Sequence, residues 1–113
     1  MIEVLLECKN SGAICSLSAK GHAGFAKKGK DIVCAAVSSL LRTTAKVLEE
    51  TSGIQLSETN FSERGNLAFC VHQTDSSDLV TERLKCTASF VRNGLILLQN
   101  EYPEHLILRE LKN

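Results

Sequence analysis

The chain has 113 residues, 43% hydrophobic and 23% charged, and its 13 Lys plus Arg balance 13 Asp plus Glu. That composition excludes an intrinsically disordered chain, which would be poorer in apolar residues. Zero formal net charge excludes a global electrostatic pull toward nucleic acid or acidic membranes, and no apolar run approaches the roughly 18 residues of a membrane helix.

Ile2–Cys8 alternates apolar and polar residues, which predicts a half-buried strand. Glu3 and Glu7 stand where a signal peptide would be basic. A cytoplasmic chain is therefore expected, with its five cysteines reduced. Asn10-Ser11-Gly12 signals a turn. Ala13–Ala19 alternates again, with Cys15 and Leu17 opposite Ser16 and Ser18, completing a hairpin. Lys20–Lys30 carries three glycines and four lysines and reads as an exposed loop of functional length.

A helix is expected next, with Asp31 as its N-cap and Ile32, Val33 and Cys34 as its first three positions. Val33, Val37, Leu40, Leu41, Thr44 and Leu48 trace its inward face, and Gly53 supplies the stop. Ile54–Glu58 reads as a short strand, Asn60–Asn66 as a turn and Leu67–His72 as another strand. Thr74–Asp78 caps a second helix running to about Gln99, with Val80, Leu84, Thr87, Val91, Leu95 and Leu98 inward. Pro103 ends that region, and Glu104–Leu111 reads as a final strand, apolar on both faces. The order β-β-α-β-β-α-β predicts one α+β domain over 1–113, with a mixed or antiparallel sheet and both helices on one face; the final strand, apolar on both faces, leaves a three-layer arrangement or a dimer burying that edge as the alternative.

Cys34 stands out among the cysteines. A thiol in the first turn of a helix would meet unpaired N–H groups and the positive end of the helix dipole, which favour a thiolate and an oxyanion. The other four read as small core residues. A cysteine nucleophile needs a base. His22 lies twelve residues earlier, with Gly21 before it and Gly24 after it. A tether of at most about 3.5 Å per residue lets it fold back over the helix start. Asp31 fits either a helix cap or a group that orients His22, and the two roles are compatible. Cys70 and His72 share a strand face, but no second pair at zinc-site spacing accompanies them, so no metal is expected.

The stretch Gly21-His22-Ala23-Gly24 followed by Gly29-Lys30-Asp31-Ile32-Val33-Cys34-Ala35-Ala36-Val37-Ser38 resembles the signature of the bacterial ribosomal-processing cysteine proteases called Prp. The resemblance implies a small α+β fold, a homodimer, and no metal or nucleotide cofactor. It implies an endopeptidase that removes an N-terminal extension from large-subunit ribosomal protein twenty-seven. By position, His22 matches the catalytic histidine and Cys34 the nucleophile. Asp31 and Ser38 match supporting polar positions, and Gly21 and Gly24 the glycines of a loop that moves with substrate. Ser38 also fits a small helix-packing residue.

Two other readings differ in class. A ribosome-associated binding module without catalysis would use Lys20, Lys27, Lys28 and Lys30 against RNA phosphates. A redox-sensing thiol at Cys34 would want a resolving cysteine next to it in sequence, and none is there. The enzyme reading calls for no direct contact with nucleic acid or membrane.

Overall fold

The computed structural model describes residues 1–21, 28–63 and 66–113; the side chains of 22–31 and 62–65 lie outside the described set. Two hairpins, β1 (Ile2–Cys8) with β2 (Ile14–Lys20) and β3 (Ile54–Glu63) with β4 (Asn66–Gln73), are each followed by a helix, α1 (Lys28–Glu49) and α2 (Asp78–Glu101). β5 (Leu106–Lys112) closes the chain. The five strands form one mixed sheet in the order β3-β4-β2-β1-β5, with β1 and β5 parallel and the other neighbours antiparallel.

Both helices cover the same face, and the topology explains why. α1 carries the chain from β2 to β3 and α2 from β4 to β5, each joining parallel strands. The two crossovers move in opposite directions from antiparallel starting strands. Right-handed connection then puts both on one side. α1 packs over β3 and β4, and α2 over β1, β2 and β5. The α+β architecture and the β-β-α-β-β-α-β order are as expected from sequence, and the sheet has one helical layer.

The core lies between the layers. Val4, Leu6, Leu17 and Phe69 of the sheet meet Val33, Leu41, Leu84, Val91 and Leu95 of the helices, all essentially inaccessible to solvent. Each such side chain stabilises the fold by about 1.5–3 kcal/mol through burial. The inward stripe of α2 runs through Ala88, and Thr87 is only half-buried. The 3.6-residue period tolerates either choice, but the small methyl fits against the sheet while the Thr87 hydroxyl bonds back to the Arg83 carbonyl at 2.8 Å.

Several boundaries differ from expectation. β3 continues to Glu63 and β4 begins at Asn66, so most of the expected turn over 60–66 is strand. The register shifts around Ser57 and Asn60 and again before Glu63, and Glu58 has a positive φ of 51°. These irregularities break the alternation that would have marked a strand. A bulge also sits in the first hairpin: Glu7 pairs with Ser16 and Cys8 with Ile14, leaving Cys15 unpaired. Ile14, not Cys15, therefore shares the inward face with Leu17.

The start of α2 and the end of α1 are well defined. Ser77 Oγ accepts a hydrogen bond from the Val80 amide at 3.3 Å, and Asp75 Oδ1 accepts from the Ser77 amide at 2.8 Å. Gly53 follows α1 with φ +85°, and a Cβ there would press on the side chains of Asp75 and Val80.

Candidate active site around Cys34

α1 starts at Lys28, three residues before the expected cap. Asp31 is thus inside the helix and not its N-cap, and Cys34 is the seventh helical residue, in the second turn. Its amide faces the carbonyl four residues back, as in any helix interior. The unpaired amides lie a turn or more earlier, and the helix dipole acts strongly only within the first turn. The expected first-turn environment is therefore corrected. The helix runs on through Lys30-Asp31-Ile32, none of which breaks it, and carries Gly29, a poor helix former, only in its first turn.

Val33, Val37, Leu41, Ala45 and Leu48 hold α1 on the sheet. Cys34 stands on the flank of that stripe, half-buried and packed against the edge of the core. Ser38 and Arg42 follow at four-residue intervals along the same flank. Arg42 Nε donates to Ser38 Oγ at 3.1 Å, and Nη2 donates to the Phe61 carbonyl at 2.5 Å. The guanidinium also lies 5.4 Å from the centre of the Phe61 ring. That ring packs against buried Phe69, centroids 6.2 Å apart.

Gly21 follows β2 with φ +85°, and a Cβ there would collide with the Met1 carbonyl. The backbone at Gly21, where β2 ends, therefore requires glycine. His22 and Gly24 lie outside the described residues, as do the side chains of Asp31, Lys27, Lys28 and Lys30. Cys34 and Ser38 are brought together on one helix flank. Arg42 was missed by sequence reasoning. Its spacing from Ser38 was visible, but its second partner, Phe61, fell in a segment read as a turn.

The remaining cysteines are less uniform than expected. Only Cys8 is buried; Cys15 and Cys70 are half-buried, and Cys86 is exposed. Burial pushes the Cys8 thiol up, with Arg92 pulling the other way. Burial and then Glu7 push Cys15 up. Cys70 is pushed up to about 11, first by its hydrogen bond to Glu58 and then by burial. Its Sγ donates to Glu58 Oε2 at 3.0 Å. His72 is engaged elsewhere, its Nε2 2.6 Å from Ser57 Oγ. Among the described residues no cluster of three His, Cys, Asp or Glu has the arrangement of a metal site, and no helix is long and apolar enough to cross a membrane.

A cleft of about 490 Å³ lies away from Cys34, between α1 and α2, with Thr43, Val47, Thr51, Arg83, Cys86 and Phe90 in its walls. It holds an exposed thiol, but none of the Cys34, Ser38 or Arg42 side chains lines it.

Comparison with known proteins bears on this site. The family model described as "Cysteine protease Prp" matches residues 1–107. The ribosomal processing cysteine protease Prp of Mycoplasma genitalium is 32% identical over 94 residues, 83% of this chain and 86% of the relative. That of Mycoplasma pneumoniae is 72% identical over 25 residues, 22% of this chain and 25% of the relative. Among solved structures, a Streptococcus mutans protein superposes with a TM-score of 0.78 at 24% identity, covering 100% of this chain and 96% of that one. Prp from S. aureus in complex with a substrate peptide also gives 0.78, at 20% identity, covering 98% of this chain and 100% of that one. At those identities the superpositions show a common fold.

Proposed function

The chain belongs to the Prp family of ribosomal-processing cysteine proteases, and on that premise we propose that it is an endopeptidase with Cys34 as nucleophile and His22 as general base. The observation that carries the reading is the setting of Cys34, a half-buried thiol on a helix flank shared with a hydroxyl and a guanidinium. Three of the other thiols, Cys8, Cys15 and Cys70, are pushed toward the protonated, unreactive form.

The chemistry is acyl transfer in two halves. His22 takes the proton from the Cys34 thiol, and the sulfur attacks the scissile carbonyl. The imidazolium then protonates the departing amine, leaving a thioester on Cys34. A water deprotonated by His22 cleaves the thioester, releasing the new carboxylate and restoring the thiol. Asp31 and Ser38 support the pair, and Gly21 and Gly24 flank His22 on its loop.

The proposed substrate is the N-terminal extension of large-subunit ribosomal protein twenty-seven. Support for a peptide substrate comes from the S. aureus relative, which was crystallised with a substrate peptide and with a covalently linked product peptide. The proposal includes a cytoplasmic homodimer that works without metal or nucleotide cofactor and makes no direct contact with nucleic acid. Edge strand β5 supports self-association, since Ile107 and Leu108 are half-buried and Leu111 is exposed.

The test is cleavage of a peptide spanning the junction between that extension and the mature ribosomal protein. Wild-type protein is expected to cut it, and Cys34→Ala and His22→Ala are expected not to. Undiminished cutting by either variant overturns the Cys–His assignment.

A further inference from the structure

Four of the seven large hydrophobic side chains left exposed among the described residues gather on one face: Leu79 (61%), Phe90 (66%) and Leu97 (69%) of α2 and Val47 (53%) of α1. None has a part in the chemistry above. At about 100° per residue, Leu79, Cys86, Phe90 and Leu97 fall within about 20° of one line along α2, with Arg83 and Asn93 about 40° to either side. All six are exposed, and the stripe runs for about 27 Å. It stands apart from the buried stripe of Val80, Leu84, Ala88, Val91 and Leu95. Contiguous exposed apolar surface of this kind marks an interaction site.

The order of residues along the stripe identifies the partner. Leu79 and Leu97, Arg83 and Asn93, and Cys86 and Phe90 stand at mirrored distances from Ala88. Two copies of α2 packed antiparallel, about a two-fold axis level with Ala88, therefore set Leu79 against the partner's Leu97. They also set Arg83 against the partner's Asn93, and Cys86 against the partner's Phe90. Each contact occurs twice, as an isologous interface requires. We propose that this face of α2 joins two copies of the chain; the inference rests on the homodimer reading and not on the chemistry of Cys34.

The polar pair is complementary. Asn93 Nδ2 donates to the Ser89 carbonyl at 2.8 Å, which leaves its Oδ1 to accept. The Arg83 guanidinium carries only donors and has no hydrogen-bond or ion-pair partner among the described residues.

The cleft between α1 and α2 fits the same arrangement. Cys86 and Phe90 stand on one side of it and Thr43, Val47 and Thr51 on the other. The Thr44, Thr51 and Thr87 hydroxyls donate to the Leu40, Val47 and Arg83 carbonyls, so their protons are spent inside the helices. An apolar cavity of about 150 Å³ is enough to hold benzene, and this cleft offers about 490 Å³. The partner's Phe90, level with Cys86, enters it, and the exchange is mutual. The β5 edge offers less, since only Leu111 among its large hydrophobic side chains is exposed.

The experiment is sedimentation equilibrium of the full chain. Wild type is compared with Phe90→Glu, Leu97→Glu, Asn93→Asp and the β5 variant Leu111→Glu, each checked for native circular dichroism. Wild type is expected to dimerise. Phe90→Glu and Leu97→Glu change exposed positions and are each expected to raise the dimer Kd about 30-fold or more. Asn93→Asp puts a charge beside the partner's Arg83 and is expected to lower Kd about threefold. Leu111→Glu leaves Kd unchanged. A short bismaleimide joins Cys86 to Cys86 across the wild-type dimer, read by peptide mapping, and fails to do so in Phe90→Glu. A dimer indifferent to both Phe90→Glu and Leu97→Glu overturns the proposal; if Leu111→Glu then abolishes it, the homodimer reading stands with β5 as its surface. A wild-type chain that stays monomeric at every concentration overturns both.

Discussion

Cys70 on β4 and Cys34 on α1 are both half-buried, and each has a histidine near it in sequence, His72 and His22. Their neighbourhoods differ in charge. Cys70 donates a hydrogen bond to the Glu58 carboxylate, and His72 is paired with Ser57. Around Cys34 the flank continues into a hydroxyl and a guanidinium. A carboxylate beside a thiol holds it protonated, as Glu58 does for Cys70. A Cys–His coincidence in sequence therefore carries little chemistry until the charges around the sulfur are known.

The largest test of that contrast is removal of each sulfur. Cys34→Ala is expected to lower kcat/KM by about 10³-fold or more, the scale on which nucleophile removal acts. Cys70→Ala is expected to stay near the wild-type value in the same peptide assay. Next in size is the support beneath the Cys34 flank. Leu41 is fully buried, and Leu41→Ala should cost about 2–5 kcal/mol in urea denaturation, with peptide cleavage lost as the folded fraction falls.

The charge difference itself can be reversed. Glu58→Gln removes the acceptor that raises Cys70, so alkylation of Cys70 near pH 8 should rise by about tenfold while that of Cys34 stays constant. The sign is fixed by the direction of the shift: the folded thiol holds its proton above the ordinary value of 9.0, up to about 11. The stabilisation it contributes is fully present below pH 9.0 and is lost as pH rises through about 11. Glu58→Gln should flatten that part of the stability profile, measured by denaturation at stepped pH. The smallest effect is expected of His72→Ala, which removes an exposed hydrogen bond to Ser57 and should leave kcat/KM within about twofold.

Much of the fold was legible because it rests on local periodicity. β1 alternates over Ile2–Cys8 as expected, and α1 and α2 bury residues at three- and four-residue spacing. The cap at Ser77 and the stop at Gly53 follow from side-chain chemistry and positive φ, both readable in sequence. Less legible was whatever depends on two strands meeting. Bulges at Cys15 and between Ser57 and Asn60 insert residues that no period announces, which misplaced Cys15 and hid the far half of β3. The start of α1 was misjudged because Asp31 is a good cap in isolation, yet the helix runs through it from Lys28.

The sequence by itself determined the element order, the α+β class, and a Cys34 and Ser38 one helical turn apart, since these depend on residues close in the chain. Only the tertiary structure decided the strand order of the sheet, that Cys70 meets Glu58, and that Arg42 joins Ser38 to Phe61, nineteen residues further on. Those contacts depend on sheet register and crossover geometry, which no local stretch of sequence encodes.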